Sequence, residues 1–295
     1  MIISVLRSVV IVAVPASLCG CAETVLSPIG PIGAAERTIL VDSLAIMLAI
    51  VVPTIVATLV FAWWFRSSNR RARYLPTWVY SGELELLVWS VPALVVLFLG
   101  GIAWIGSHEL DPATPLKARP LQIEVVSLDW KWLFIYPGQQ VASINRMVVP
   151  AGVPLHLRVT SASVMNVFFV PGLGSQIYSM SGMATQLHLQ ADTAGTYHGL
   201  SANFSGDGFP DMRFTFEALP ARQFEEWIAT SRRTGGVLDD AAYRGLLQQS
   251  VSPLPYTYQS VEPGLFDRIV RLQLPPGEGP RTGRPRPNTK PIAIH

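Results

Sequence analysis

Two unbroken apolar runs come first, and a long stretch of alternating apolar and polar positions follows. That change of period divides the chain. Ile39 to Phe65 is apolar apart from Asp42, Ser43 and two threonines, long enough to cross a bilayer as a helix. Leu84 to Ile105 forms a second such run, with Pro92 inside it and Trp89 and Trp104 near its ends. Further on, Leu155-His156-Leu157-Arg158-Val159-Thr160 alternates with period two, as do Leu187 to Gln190 and Met212 to Glu217. With segments near 121–128, 131–136, 144–149, 166–170 and 195–202, these predict about eight short strands separated by Pro and Gly turns, an antiparallel sandwich or barrel. After Pro220 the period changes again. Phe224, Trp227 and Ile228 fall on one helical face, Gly235-Gly236 ends that helix, and 239–249 and 266–274 are further helix candidates.

Charge and composition sharpen this outline. Charged residues make up only 14% of the 295, which points to a membrane protein. A formal charge of +2, with no long basic run, excludes a nucleic-acid partner. Arg66, Arg70, Arg71 and Arg73 follow the first apolar run directly and mark the 66–83 loop as cytoplasmic. Both ends of a 38–107 hairpin then lie outside, with the 112–219 domain in the periplasm. Residues 1–20 read as a signal peptide: Arg7, then apolar Val9 to Val14, then Leu18-Cys19-Gly20-Cys21. Leu, two small residues and Cys is the pattern at which bacterial lipoproteins are cut and acylated. Cys21 is the expected lipid attachment point, and an ordinary signal peptide is the plainer reading. A linker over 21–37, a helical region over 220–274 and a disordered tail over 275–295 complete the outline.

One loop carries the candidate chemistry: Tyr197-His-Gly-Leu-Ser-Ala-Asn-Phe-Ser-Gly-Asp-Gly-Phe-Pro-Asp-Met212. Ser201 and Ser205 stand four apart, as two bridging thiolates would, with Asn203 between them. The spacing resembles the dinuclear-copper loop of cytochrome c oxidase subunit II. Laid on that pattern, Ser201 and Ser205 take the two Cys places, Asn203 the Glu, Phe209 the loop His and Met212 the Met. The remaining His falls at Asn166. Only Met212 survives as a ligand type. This departure, with Met165-Asn166, Gly174 to Tyr178, Val125 to Ser127 and Asp129-Trp130-Lys131-Trp132, resembles the quinol-oxidising branch, subunit II of the cytochrome bo-type ubiquinol oxidases. The same conclusion about metal follows from sulfur alone. The chain's two cysteines, Cys19 and Cys21, both precede residue 22, so no thiolate is available to a copper centre downstream.

The resemblance implies a two-helix transmembrane hairpin followed by an all-β cupredoxin-like Greek-key barrel and a small α-helical C-terminal extension. It implies a structural, metal-free subunit of a proton-pumping complex of the bacterial inner membrane, in which ubiquinol is oxidised and oxygen reduced to water. Haems, a mononuclear copper and ubiquinone belong to subunit I, and subunits III and IV are further partners. Glu85 takes the place of a carboxylate at the entrance of a proton-uptake path, although Glu83 and Glu85 also suit an ordinary helix start. Two other readings stay open: a copper-bearing electron carrier fed by cytochrome c, and a lipid-anchored binding or assembly module. Of the remaining candidates, His156 and His188 are expected on the outer, polar face of their strands, and His198 lies beside the loop. In the aromatic run Trp130 to Tyr136, alternate residues should fill the core while Lys131 faces water.

Overall fold

A computed structural model describes residues 25–73, 75–251 and 253–279. The signal peptide, Cys21 and residues 280–295 lie outside the described residues. The chain forms two compact units, one of residues 35–111 and one that joins the N-terminal segment to everything from Pro112 onward.

The smaller unit holds most of α1 (Pro31–Trp64) and α2 (Gly82–Glu109). Helix α1 starts eight residues ahead of the apolar run, inside the expected linker, because Pro31 is favoured in a first helical turn. Both helices carry an internal proline, Pro53 and Pro92. The Thr54 and Thr58 hydroxyls donate one turn back, to Ile50 O (2.7 Å) and Thr54 O (2.8 Å), so these polar groups are satisfied within the helix. The helices run antiparallel, since the start of α1 meets the end of α2. A Cβ on Gly106 would lie 2.7 Å from Ile39 Cδ1. At its far end α1 leaves carbonyls unpaired. Asn69 Nδ2 donates to Trp64 O (2.6 Å) and Arg66 Nη1 to Trp63 O (2.8 Å).

The larger unit is a two-sheet barrel. Its strands are β1 (Leu121–Leu128), β2 (Lys131–Tyr136), β3 (Val141–Ile144), β4 (Arg146–Pro150), β5 (Pro154–Ser161), β6 (Asn166–Phe169), β7 (Gln176–Ser179), β8 (Thr185–Gln190), β9 (Gly195–Ser201) and β10 (Arg213–Leu219). Then come α3 (Ala221–Ser231), β11 (Val237–Leu238), α4 (Asp240–Leu246), β12 (Tyr256–Tyr258), β13 (Ser260–Val261) and α5 (Leu265–Val270). One sheet has the order β12-β3-β2-β1-β5-β8, the other β4-β10-β9-β6-β7. The pairing is not wholly antiparallel, as alternation alone had suggested: β1 pairs with β5, and β4 with β10, in parallel.

Between the sheets, Trp132, Phe134, Phe168 and Phe214 form an aromatic cluster, with Phe168 and Phe214 stacked at 5.2 Å. A second apolar layer lies on the other face of β1 and β2, where Leu128, Leu133 and Ile135 meet Tyr243, Leu246, Tyr258, Phe266 and Ile269 from the C-terminal region. Every residue of β2 is therefore buried. This corrects the expectation for Lys131, which is fully buried and donates to Gln248 O and to Ser250 Oγ (2.8 Å). The tail contributes as well: Gly277 N–H donates to Ala162 O (2.8 Å) and Gln249 Nε2 to Gly279 O (2.6 Å), so residues 275–279 are laid against the barrel.

The segment before α1 belongs to the same unit. Ile29 N–H donates to Gly172 O and accepts, through its carbonyl, from Asp192 N–H, both at 2.8 Å. Gly30 must be glycine here, because a Cβ would sit 1.8 Å from Gln190 O.

Candidate functional site

The sequence-flagged loop joins β9 to β10, with one short 3-10 turn at Phe209–Asp211. Strand pairing fixes its base: Ser201 N–H donates to Met212 O (3.1 Å), and Met212 N–H to Phe209 O (3.0 Å). Trp130 closes it from below. Its indole N–H donates to Ser205 O (2.9 Å), and its backbone is held at φ 65°. Gly208 lies flat on the indole, where a Cβ would come within 2.2 Å of the ring.

Into this frame fold the positions matched to copper ligands. Asn166, Ser201, Ser205 and Met212 are all buried, none more than 5% exposed. Ser201 Oγ donates to Asn166 Oδ1 (3.1 Å), and Asn166 Nδ2 to Val164 O (3.3 Å). Ser205 Oγ points at Met212 Sδ, 4.0 Å away. The two remaining positions turn outward. Asn203 Nδ2 donates to Met165 O and Phe204 O, both at 3.3 Å, and the Phe209 ring meets exposed Phe204 edge to face at 5.8 Å.

The donor set does not suit a dinuclear copper centre. It offers neutral hydroxyl and amide oxygens that already bond to one another, plus one thioether, where such a centre takes thiolate and imidazole. Among the described residues no group of three or more His, Cys, Asp or Glu could hold a metal. A satisfied buried polar network fixes the loop in one conformation, whereas an unsatisfied one would be costly.

The other flagged residues lie apart from this loop. His198 is exposed, on the outer face of β9, while its neighbour Gly199 is buried. Glu83 and Glu85 are exposed in the first turn of α2, where Glu85 N–H donates to Ser81 O (3.0 Å). His156 and His188 are cross-strand partners whose rings stack at 4.6 Å and 4°. The expectation that both lie on the outer face is corrected for His188 alone; His156 is partly exposed and its Nε2 lies 3.3 Å from Gln186 Oε1. His188 is only 5% exposed and its Nδ1 has no hydrogen-bond partner. Burial and the neighbouring imidazole push its pKa down. Burial also lowers Lys131, to about 8, against the opposing pull of Asp129. Neither feature was legible locally. Lys131 is covered by residues more than a hundred positions downstream, and the histidine pair appears only once the β5–β8 register is known.

Comparison with known proteins bears on all of this. Residues 121–219 match the family model for the periplasmic domain of cytochrome c oxidase subunit II, and the two-sheet unit has that family's cupredoxin-like fold. The chain is 47% identical over 257 residues to the ubiquinol oxidase subunit 2 of Acetobacter aceti, covering 86% of this chain and 83% of that one. It is 43% identical to the cytochrome bo(3) ubiquinol oxidase subunit 2 of Pseudomonas putida, covering 91% and 85%. To the quinol oxidase subunit 2 of Bacillus cereus it is 34% identical, covering 77% and 79%. Among solved structures, the periplasmic domain of cytochrome oxidase subunit II from Bradyrhizobium japonicum aligns over 40% of this chain and 98% of that one, at 21% identity and a TM-score of 0.38.

Proposed function

Because the chain belongs to the subunit 2 family of the ubiquinol oxidases, we propose that it is the metal-free subunit II of a proton-pumping terminal oxidase that oxidises ubiquinol and reduces oxygen to water. One observation carries the reading: Ser201, bonded to buried Asn166, stands where an electron-carrying relative would need a thiolate beside an imidazole. Electrons then have no stepping point in this barrel. They pass from ubiquinol to haems and a mononuclear copper held by subunit I.

In this reading the hairpin packs against subunit I, with subunits III and IV nearby, and the barrel caps the periplasmic side. The contacts of Ile29 support the topology. The chain before the first apolar helix is bonded to the barrel that follows the second, which agrees with an even number of crossings between Ile29 and the barrel. Cys21, ten residues ahead of the start of α1, is acylated and gives the N-terminus a second hold on the outer leaflet. Glu85, exposed in the first turn of α2, holds a carboxylate at the cytoplasmic mouth of the hairpin. Its role is to collect protons for subunit I.

The test is to purify the intact complex from membranes and compare its oxidation of ubiquinol and of reduced cytochrome c. Rapid ubiquinol oxidation with haem-containing subunit I present supports the proposal. Preferential oxidation of cytochrome c would favour the copper carrier, and recovery of this chain alone would favour a separate lipid-anchored module.

A further inference from the structure

Between the two apolar helices lies a short segment, residues 65–81, with an uneven charge distribution. It contains Arg66, Arg70, Arg71 and Arg73 and no Asp or Glu. The four arginines are not equivalent. Arg66 is used internally: its guanidinium lies 4.8 Å from the Trp63 ring centroid, donates to Trp63 O and bonds Ser68 Oγ at 3.0 Å. Arg70, Arg71 and Arg73 are exposed, and among the described residues their side chains form no hydrogen bond or ion pair. Three exposed guanidinium forks thus fall within four residues, on a turn held in shape by Asn69, which bonds Trp64 O and the Arg71 N–H.

Aromatic side chains flank the arginines in sequence. Trp63 and Trp64 precede them and Trp78 and Tyr80 follow, all of them exposed. Tryptophan and tyrosine with one apolar and one polar edge settle at headgroup depth. A segment anchored there at both ends keeps its arginines among lipid phosphates. The planar guanidinium matches a phosphate with two parallel N–H bonds. A zwitterionic lipid supplies its own ammonium to that phosphate, whereas an anionic lipid does not. From this juxtaposition we infer that Arg70, Arg71 and Arg73 form a docking site for anionic phospholipid headgroups of the inner leaflet. The inference rests on the topology proposed above, which places this loop in the cytoplasm.

The test uses the full chain reconstituted in phosphatidylcholine bilayers that carry a trace of spin-labelled phosphatidylglycerol or spin-labelled phosphatidylcholine. The fraction of motionally restricted label measures preference. The wild-type chain should restrict phosphatidylglycerol more strongly, and the preference should fall at high ionic strength. R70Q/R71Q/R73Q should lose it, by about fivefold for each arginine neutralised, while R70K/R71K/R73K should keep much of it. Equal restriction of the two lipids by the wild type, or an undiminished preference in the glutamine variant, overturns the inference. So does a glutamine variant that loses another subunit of the complex without any change in lipid preference, since the arginines would then serve a protein partner. Protease accessibility of the barrel in spheroplasts, done in parallel, reports orientation separately. A barrel protected from outside contradicts the topology itself, whereas an accessible barrel with no lipid preference contradicts only the lipid site.

Discussion

Ser201 Oγ donates to Asn166 Oδ1 across 3.1 Å, joining the end of β9 to the start of β6 inside the barrel. The copper-carrying pattern would put a thiolate and an imidazole at these two places. Here the same two positions hold each other through a hydroxyl and an amide, neither of which is the thiolate or imidazole that such a centre takes.

Ser201→Ala removes the donor and leaves a buried amide oxygen without it. Such a loss costs about 1–3 kcal/mol, so the variant should unfold earlier in a denaturant titration, with no change in metal content. Asn166→Ala should cost a similar amount. The double variant should cost less than the sum, because the two residues share one bond.

Gly208 tests the floor of the loop. Its missing Cβ makes room for the Trp130 indole, which is 1% exposed and held by Ser205 O. Gly208→Ala should force the indole aside at a cost of about 1–3 kcal/mol. The expected readout is a shifted tryptophan emission together with a lower melting temperature.

Lys131 gives a prediction on the alkaline side. Its pKa is lowered to about 8 in the folded chain, against about 10.4 in an unfolded one. Between these values the unfolded chain binds more protons, so this group's contribution to stability rises as pH climbs from about 8 towards 10 and is absent below. Tyr136, Tyr243 and Tyr258, raised by burial, act in the opposite sense above that window. Denaturant midpoints measured across it should rise in the wild type and lose that component in Lys131→Met. The same variant should expose the 248–250 segment, which Lys131 now ties down, to proteolysis.

The stacked histidines act on the acid side. His188 has its pKa lowered by burial and by His156, so folding disfavours its protonated form. Stability from this group is full above the unfolded value near 6.5 and is lost as pH falls through the folded value. His188→Gln should flatten the fall in barrel stability below neutral pH. A fall of unchanged steepness would place its origin in other groups.

Glu85→Ala should slow proton uptake and oxygen turnover of the complex several-fold, with haem content and assembly near wild type. Glu83→Ala, two residues away on the same exposed turn, should leave turnover unchanged. Equal effects from both would reduce Glu85 to an ordinary helix-start carboxylate.

Much of the fold could be read from the chain, for identifiable reasons. Strands β1 and β2 fall at 121–128 and 131–136 as expected, because Gly-free apolar runs between turn signals leave little choice. The segment read as one strand over 144–149 is instead two, β3 and β4, split at Asn145. That residue takes φ 53° and accepts the Trp132 N–H with its side chain, a long-range bond with no local signature. Strand β7 was missed because its four residues lie at a sheet edge with mixed burial. The exchanged ligand positions were legible because they rest on residue identity and spacing. Their hydrogen bonds were not, since the one between Ser201 and Asn166 joins β6 to the end of β9, 35 residues later.

The central claim is that this polypeptide carries no electrons, and copper stoichiometry tests it most directly. The full-length chain should be purified in detergent without its partners, offered copper under reducing and oxidising conditions, desalted, and assayed for bound metal and visible absorption. The account predicts no stoichiometric copper and no redox-active band. A tightly held pair of copper ions per chain, with a reversible optical signal, would contradict it.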